Sequence, residues 1–420
     1  MRIALVPALL AALVGFANLG AAAEPGLQQG DYVAVIGDSI TEQKLYSVYI
    51  ENYLLMCKPK GGLTVTQFGW GGETAEGFSH RMANDCLSFK PKVATTCFGM
   101  NDGRYSPMDD NKAKWYRDNQ RSVVKQLKDA GVRFIVLGSP GVVDADTFRG
   151  NPEMATMYNK TLAALRDIDR ELAKEEGVVF ADVYAAMLDV MTQAKAKYGK
   201  GYHLAGGDGV HPDRNGHLVM AYAYLKALGC DGDIGTISVD LGANTATASD
   251  GHKIQSVKDG AVEVVSERYP FCFYEDPAKT ASTRGVLDFM PFNQDLNRFR
   301  LVVTKAGAAK IKVTWGKTTR EYAAADLEKG INLAADFLDN PFSEPFRQVE
   351  GQVFKQQEME VGLVKSAMHN LPSYTVLVPE EKPVFDRVAA TLIQKDVDAR
   401  TATAAAVKPV THTLVIQAVK

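Results

Sequence analysis

Tyr32-Val33-Ala34-Val35-Ile36 is an unbroken apolar run, and it stops at Gly37-Asp38-Ser39-Ile40-Thr41. A strand with one wet face alternates apolar and polar residues, whereas a continuous run reads as a strand buried on both faces, as in a parallel sheet. Leu45 to Met56 follows with apolar residues at helical spacing. The pattern then repeats. Leu63 to Phe68 reads as a strand closed by the turn Gly69 to Gly72, and Lys92 to Phe98 as a third strand closed by Gly99 to Gly103. A helix over Lys112 to Ala130 leads to a strand at Arg133 to Leu137, and a helix over Met154 to Glu176 to a short strand at Val178 to Phe180. A last helix spans Pro212 to Leu228. Strands alternating with helices predict an α/β class fold, a three-layer α/β/α sandwich around a parallel sheet.

The texture changes near Asp231 to Gly235. Ile237 to Leu241, Val262 to Val265, Arg300 to Val303 and Lys310 to Val313 read as short strands between Gly, Asn and Asp turns, a β-rich region from about 235 to 325. Phe346 through Met368 has apolar residues at helical spacing. Residues 380 to 420 combine a polar helix with a terminal strand at Thr411 to Val419. Thr401 to Val407 fits either a linker or an Ala-rich helix end.

A chain of 420 residues suits two or three domains. With 46% apolar and 23% charged residues it can bury a large core, so wholesale disorder is excluded. A net charge of −3 lacks the basic excess of a nucleic-acid binder. Residues 1–23 read as a signal peptide: Arg2, the apolar Ile3 to Ala17, then the small residues Gly20-Ala21-Ala22-Ala23. That run is shorter than the ~20 residues a bilayer span needs, so no stable membrane anchor is expected. The expected destination is periplasmic or extracellular, after cleavage near Ala23. Cys57, Cys86, Cys97, Cys230 and Cys272 contain no C-x-x-C pair, and their connectivity is not legible. Cys97, inside an apolar strand, reads as a small buried hydrophobe.

Chemistry gathers at the strand ends, which form one rim of a parallel sheet. They carry Gly37-Asp38-Ser39, then Gly69-Trp70-Gly71-Gly72-Glu73-Thr74, then Gly99-Met100-Asn101-Asp102; Asp208-Gly209-Val210-His211 precedes the last helix. A hydroxyl, a glycine N–H, an amide, a carboxylate and an imidazole are the inventory of acyl transfer. Competing motifs fail. Gly316-Lys317-Thr318 lacks the upstream glycine of a phosphate loop, with Ile311 in its place, and neither G-x-S-x-G nor H-E-x-x-H occurs. His80, His203, His217, His252, His369 and His412 show no metal-ligand spacing and read as surface or structural, with His203 a minor candidate for the cleft.

Four such blocks in this order resemble the SGNH (GDSL) hydrolase family over roughly Asp31 to Cys230. The resemblance implies an SGNH/flavodoxin-like hydrolase domain over 24–232, with residues 233–420 a β-rich accessory region ending in helices. It implies Ser39 as nucleophile, His211 as general base and Asp208 as the carboxylate that orients the imidazole. The oxyanion hole falls to the Ser39 N–H, the Gly72 N–H and the Asn101 side chain, a glycine being suited to close backbone approach. Asp38 and Asp102 are expected to hold loops. No metal or other cofactor is implied. Gln67 stands where the family often has Asn, which bears on a local turn hydrogen bond and not on the catalytic set.

Trp70 and Tyr105 are candidate substrate contacts, balanced against simple packing, as is Phe78. The leading functional expectation is an exported serine esterase that forms an acyl-enzyme and removes O-acetyl groups from carbohydrate, its partner a small-molecule or polysaccharide ester. Lipolytic or thioester hydrolysis is the alternative. From a different class, a carbohydrate-binding or assembly protein with minor catalysis also fits. Oligomeric state is not legible.

Overall fold

The computed structural model describes residues 26–275, 279 and 282–419, so the segment read as a signal peptide lies outside the described residues. Strands β1 (Tyr32–Gly37), β2 (Thr64–Gln67), β3 (Val93–Cys97), β4 (Phe134–Gly138) and β5 (Val179–Ala181) form one sheet in the order β2-β1-β3-β4-β5. Every neighbouring pair is parallel. The α/β expectation stands.

Alternation along β1 makes the three layers. Val33 and Val35 join a core with Tyr46, Ile50 and Tyr53 of the segment after Ser39 and with Leu218 and Tyr224. Tyr32, Ala34 and Ile36 point into a second core with Phe78, Met82, Val123 and Leu127. Helices α1 (Ser39–Glu42) and α2 (Tyr46–Asn52) follow β1; α3 (Ala75–Asp85), α4 (Asp110–Asp129), α5 (Pro152–Glu176), α6 (Val183–Tyr198) and α7 (Arg214–Ala227) follow in chain order. Three of these, the one-turn α1, α3 and α6, escaped the sequence reading. The α3 segment is rich in polar residues, and α6 carries buried and exposed positions with little sidedness. Its Met187, Val190 and Ala194 face inward through tertiary packing rather than a clear apolar stripe.

Beyond residue 232 the chain builds two further sheets. One runs in the order of β13 (Ile331–Asn332), β10 (Arg298–Thr304), β6 (Asp233–Asp240) and β7 (Thr245–Ala248). The other runs β12 (Thr318–Ala323), β11 (Lys310–Trp315), β14 (Val410–Ala418), β9 (Ala261–Ser266) and β8 (His252–Lys258). Phe299, Leu301, Val313, Trp315 and Leu414 are fully buried in this region. A directed chain of hydrogen bonds crosses its core. Trp315 Nε1–H donates to His412 Nδ1 at 3.1 Å, which leaves His412 Nε2 to donate to Ser266 Oγ at 2.9 Å. Ser266 then donates to His252 Nδ1 at 2.7 Å, and His252 Nε2 to the Ile234 carbonyl at 2.9 Å. Each imidazole therefore serves as neutral donor and acceptor, and burial pushes His412 down to about 3. Strands β7, β8 and β12 were not read from sequence, being polar and half-exposed at sheet edges.

Short helices α8 (Phe292–Asp295), α9 (Ala324–Lys329) and α10 (Leu333–Asp336) link these strands, followed by α11 (Ser343–Gly362), α12 (Leu371–Leu377) and α13 (Lys382–Ala406). Thr401 to Ala406 is helix, not linker. α11 and α13 return to cover the edge of the first sheet. A free edge strand exposes unpaired N–H and C=O groups. On β2 the Val65 carbonyl accepts from Gln356 Nε2 at 3.1 Å, and the Gln67 N–H donates to Glu360 Oε2 at 3.0 Å. Thr66 and Thr64 hydroxyls meet Asp396 and Arg400 at 3.0 and 2.8 Å. Side chains of the C-terminal helices thus replace a missing neighbour strand. All five cysteines are free and buried, Cys97 among them. No described helix is long and apolar enough to cross a membrane.

Candidate active site

β1 ends at Gly37, where an added Cβ would lie 2.1 Å from Thr41 Oγ1 and 2.8 Å from the Cys97 carbonyl. Only glycine lets the chain turn so tightly beside β3. Asp38 caps α1, accepting from the Ile40 N–H at 2.9 Å, and so presents Ser39 as the first helical residue. Burial raises the Asp38 carboxyl to about 7, partly offset by that N–H.

Ser39 Oγ stands 2.9 Å from His211 Nε2, and His211 Nδ1 stands 2.7 Å from Asp208 Oδ2. The other Asp208 oxygen accepts the backbone N–H groups of Val210 and His211, each at 2.9 Å. Partial burial works against ionisation of Asp208. The His211 N–H, its imidazole and the Val210 N–H outweigh it, holding the carboxyl below its ordinary range. An ionised carboxylate only accepts, so Nδ1 carries the proton and Nε2 is left to accept from the serine. His217 secures the two halves: its Nδ1 accepts the Tyr46 N–H at 3.2 Å, and its Nε2 donates to Gln43 Oε1 at 2.9 Å. Burial takes this imidazole down to about 3, and it acts as a neutral brace between the serine's helix and α7.

The remaining blocks are tied to these. Asp102 accepts the Ala75 N–H at 2.9 Å and the Gly99 N–H at 2.8 Å, joining the third block to the start of α3. It holds loops, as expected, and burial lifts it to about 6. Asn101 Nδ2 donates to the Glu73 carbonyl at 2.9 Å and lies 3.5 Å from Asp38 Oδ2. Gln67 keeps the turn bond its replacement of Asn put in question, accepting the Gly69 N–H at 3.0 Å. Gly72 has φ +75°, and an added Cβ would meet nothing within 4 Å. That backbone angle favours glycine; a close approach between protein backbones occurs at Gly69, whose Cβ would sit 2.3 Å from Glu42 N.

Of the aromatic candidates, Phe78 is fully buried against Phe98. Trp70 is half-buried, its ring flanked by the Arg81 guanidinium at 4.7 Å, Lys365 Nζ at 4.8 Å and the His369 ring at 4.7 Å. Tyr105 stacks on Tyr158 at 4.8 Å and carries the Arg149 guanidinium 4.1 Å over its ring. The His203 Nδ1 faces Asp144 at 3.7 Å. Glu42, Lys365 and His369 at this rim were not singled out from sequence. The last two lie more than three hundred residues from Ser39 along the chain, with no local signal to connect them.

Two clefts adjoin the blocks. One of about 620 Å³ is lined by residues including Trp70, Glu73, Arg81, Asn84, His369 and Ser373. The other, about 400 Å³, is lined by Arg104, Ser106, Asp109, Asn111, Lys112 and Trp115. Among the described residues, no group of His, Cys, Asp or Glu is arranged to hold a metal ion.

An acetylxylan esterase of Geobacillus stearothermophilus is 26% identical over 221 residues, which cover 48% of this chain and 94% of the relative. The solved structure of a gut microbial diltiazem-metabolizing enzyme, 22% identical, superposes with a TM-score of 0.73 over 94% of this chain and 99% of its own. That likeness spans the sheet domain and the β-rich region alike, so the whole architecture recurs. Residues 35–219 match the GDSL-like Lipase/Acylhydrolase family model, and together with the esterase relative this match makes the chain a hydrolase of ester bonds.

Proposed function

We propose that this protein is an exported carbohydrate O-acetyl esterase that works through an acyl-enzyme on Ser39. The observation that carries the mechanism is the unbroken contact chain Ser39–His211–Asp208. Ser39 Oγ attacks the ester carbonyl carbon as its proton passes to His211 Nε2, and Asp208 stabilises the imidazolium that forms. The carbonyl oxygen takes up negative charge beside the Ser39 and Gly72 N–H groups and the Asn101 amide. Collapse breaks the ester C–O bond, and His211 returns the proton to the departing sugar oxygen. Water then attacks the acyl-enzyme by the same steps in reverse roles, releasing acetate and Ser39. Nothing in this cycle calls on a metal or other cofactor.

Asn101→Ala is expected to lower kcat by ~10²–10³ with little change in KM, because this donor meets charge that exists only in the transition state. Steady-state kinetics on an acetyl ester checks it, and a loss carried in KM would move Asn101 to ground-state binding.

Acetyl preference rests on the two clefts beside the blocks, which place charged and polar groups such as Glu73, Arg81, Asn84, Arg104 and Asp109 beside the faces of Trp70 and Trp115. Each CH₂ of a fatty chain contributes ~0.8 kcal/mol only where apolar walls receive it. Polar groups beside aromatic faces suit a hydroxyl-rich ring, as does the likeness to an acetylxylan esterase. kcat/KM is expected to be highest for acetyl esters and to fall beyond about four carbons. Octanoyl esters cleaved faster than acetyl would favour lipolysis instead. The substrate is tested by acetate release from a panel of acetylated polysaccharides, and export by finding the mature protein, cut near Ala23, outside the cytoplasm.

A further inference from the structure

The turn that presents Gly72 has a weakness of its own. The Glu73 N–H donates to the Trp70 carbonyl at 3.1 Å, closing a β-turn with Gly71 and Gly72 in its centre. Positive φ at the second central residue only, Gly72 at +75°, is the type II pattern. Types I and II differ by a flip of the peptide between the two central residues, and that peptide carries the Gly72 N–H. Flipping it turns the N–H away. Two glycines place no side chain in the way of this flip, and both are exposed. Something else must hold the turn.

Glu42 does so from the end of α1. Its Oε2 accepts the Gly71 N–H at 2.5 Å, and its Oε1 accepts Lys365 Nζ at 2.6 Å. Both side chains of this ion pair are about three-quarters covered, with 27% of Lys365 and 24% of Glu42 exposed. Lys365 Nζ also lies 4.8 Å over the Trp70 ring, so one ammonium touches the first residue of the turn and the carboxylate that holds the second. A second set of contacts buttresses Trp70. His369 contacts its ring and Asp85 Oδ2, the latter at 2.8 Å, and Asp85 meets Arg81, which binds Glu73 Oε2 at 2.6 Å. Glu73 in turn offers its carbonyl to Asn101. Contacts from a segment almost 300 residues downstream therefore reach the turn directly at Trp70, and at Gly71 and Glu73 through intervening side chains.

We propose that Lys365, in the C-terminal helical segment, is a positioning residue of the oxyanion hole, acting through Glu42 to fix the Trp70–Gly71 peptide, the first of the turn, and with it the frame from which the Gly72 N–H is presented. The inference rests on the reading of Gly72 as an oxyanion donor and Ser39 as nucleophile. It gives residues beyond 232 a part in the reaction: the C-terminal segment sets the geometry of a site whose reacting groups all lie in the sheet domain. Losing one donor outright costs ~10²–10³ in kcat, and a turn that samples both forms forfeits part of that. Lys365→Met is expected to lower kcat about 10-fold.

The test is kcat and KM on a short acetyl ester for Lys365→Met, Glu42→Ala, the double variant, Lys365→Arg and Ser39→Ala, all in the full chain. The expected pattern is a kcat loss of about 10-fold in Lys365→Met and in Glu42→Ala, with KM changed less than about 2-fold. The double variant should be no worse than the more affected single, since both cut one chain of contacts. Lys365→Arg should recover most of the rate, because a guanidinium can still reach Glu42. A merely structural role would lower the melting temperature and the active fraction without needing the charge or showing non-additivity. Wild-type kcat in Lys365→Met, a loss carried in KM, or additive losses would overturn the inference, provided Ser39→Ala is inactive. Residual activity in Ser39→Ala would instead overturn the reading beneath it. Should Lys365→Met fail to fold, Glu42→Ala against Glu42→Gln decides the same point. The glutamine can still accept the Gly71 N–H, so it should be the faster of the two.

Discussion

Ser39→Ala is expected to lower kcat by ~10⁴-fold or more, and His211→Ala by a similar factor. Ser39 Oγ is the atom within 2.9 Å of His211 Nε2, so alanine removes both the nucleophile and the proton that the base would accept. What remains is electrostatic stabilisation and binding, which assist attack by water but form no acyl-enzyme. The substitution itself should be benign for folding. Asp38, not Ser39, caps α1 through the Ile40 N–H, and the cap persists when the hydroxyl goes. A folded Ser39→Ala protein retaining more than about a tenth of the wild-type rate would remove Ser39 from the mechanism.

Asp208→Asn is the second large effect, and it works through a proton rather than a lost contact. Asp208 Oδ1 accepts from two backbone N–H groups, at Val210 and His211. An asparagine keeps those bonds by placing its carbonyl there, which forces its NH₂ toward His211 Nδ1. That nitrogen must then accept, and the neutral ring carries its proton on Nε2, where it faces Ser39 as a donor. A base already protonated on the reacting nitrogen cannot take the serine proton. The expected loss in kcat is ~10³–10⁴ with the fold intact. Asp208→Ala should lose somewhat less than His211→Ala, because the imidazole keeps access to the working tautomer although nothing orients it. Fewer than ten-fold lost in Asp208→Asn would show that this carboxylate does not set the tautomer.

The sheet and the rim were legible because each is written in a few consecutive residues. The run Tyr32 to Ile36 can only be a strand covered on both faces, and its two sets of side chains do enter two separate cores. The contacts Ser39–His211 and His211–Asp208 were also within reach, since blocks at strand ends share one rim. Other features were hidden for physical reasons. α3 was missed because its polar residues are used inside: Arg81 and Asp85 are buried and paired with each other and with Glu73. The covering of β2 by Gln356, Glu360, Asp396 and Arg400 was illegible, because polar residues on helical spacing read as a solvated face. Here they are buried, hydrogen-bonded to an edge strand roughly three hundred residues away, between 291 and 336. Glu42 follows the quoted block directly, yet its bond to Gly71 joins two separate turns, and its pairing with Lys365 exists only once the C-terminal segment has docked.

The most direct test of the acyl-enzyme reading is to trap the intermediate. The protein is mixed with an excess of an activated acetyl ester, quenched in acid during the burst, digested, and the peptides weighed. Acetyl should appear on the peptide containing Ser39, in wild type and not in Ser39→Ala, and should accumulate further if deacylation is slowed by a less nucleophilic acceptor medium. Steady turnover with no acetyl on Ser39, or acetyl on another residue whose substitution abolishes activity, would contradict it.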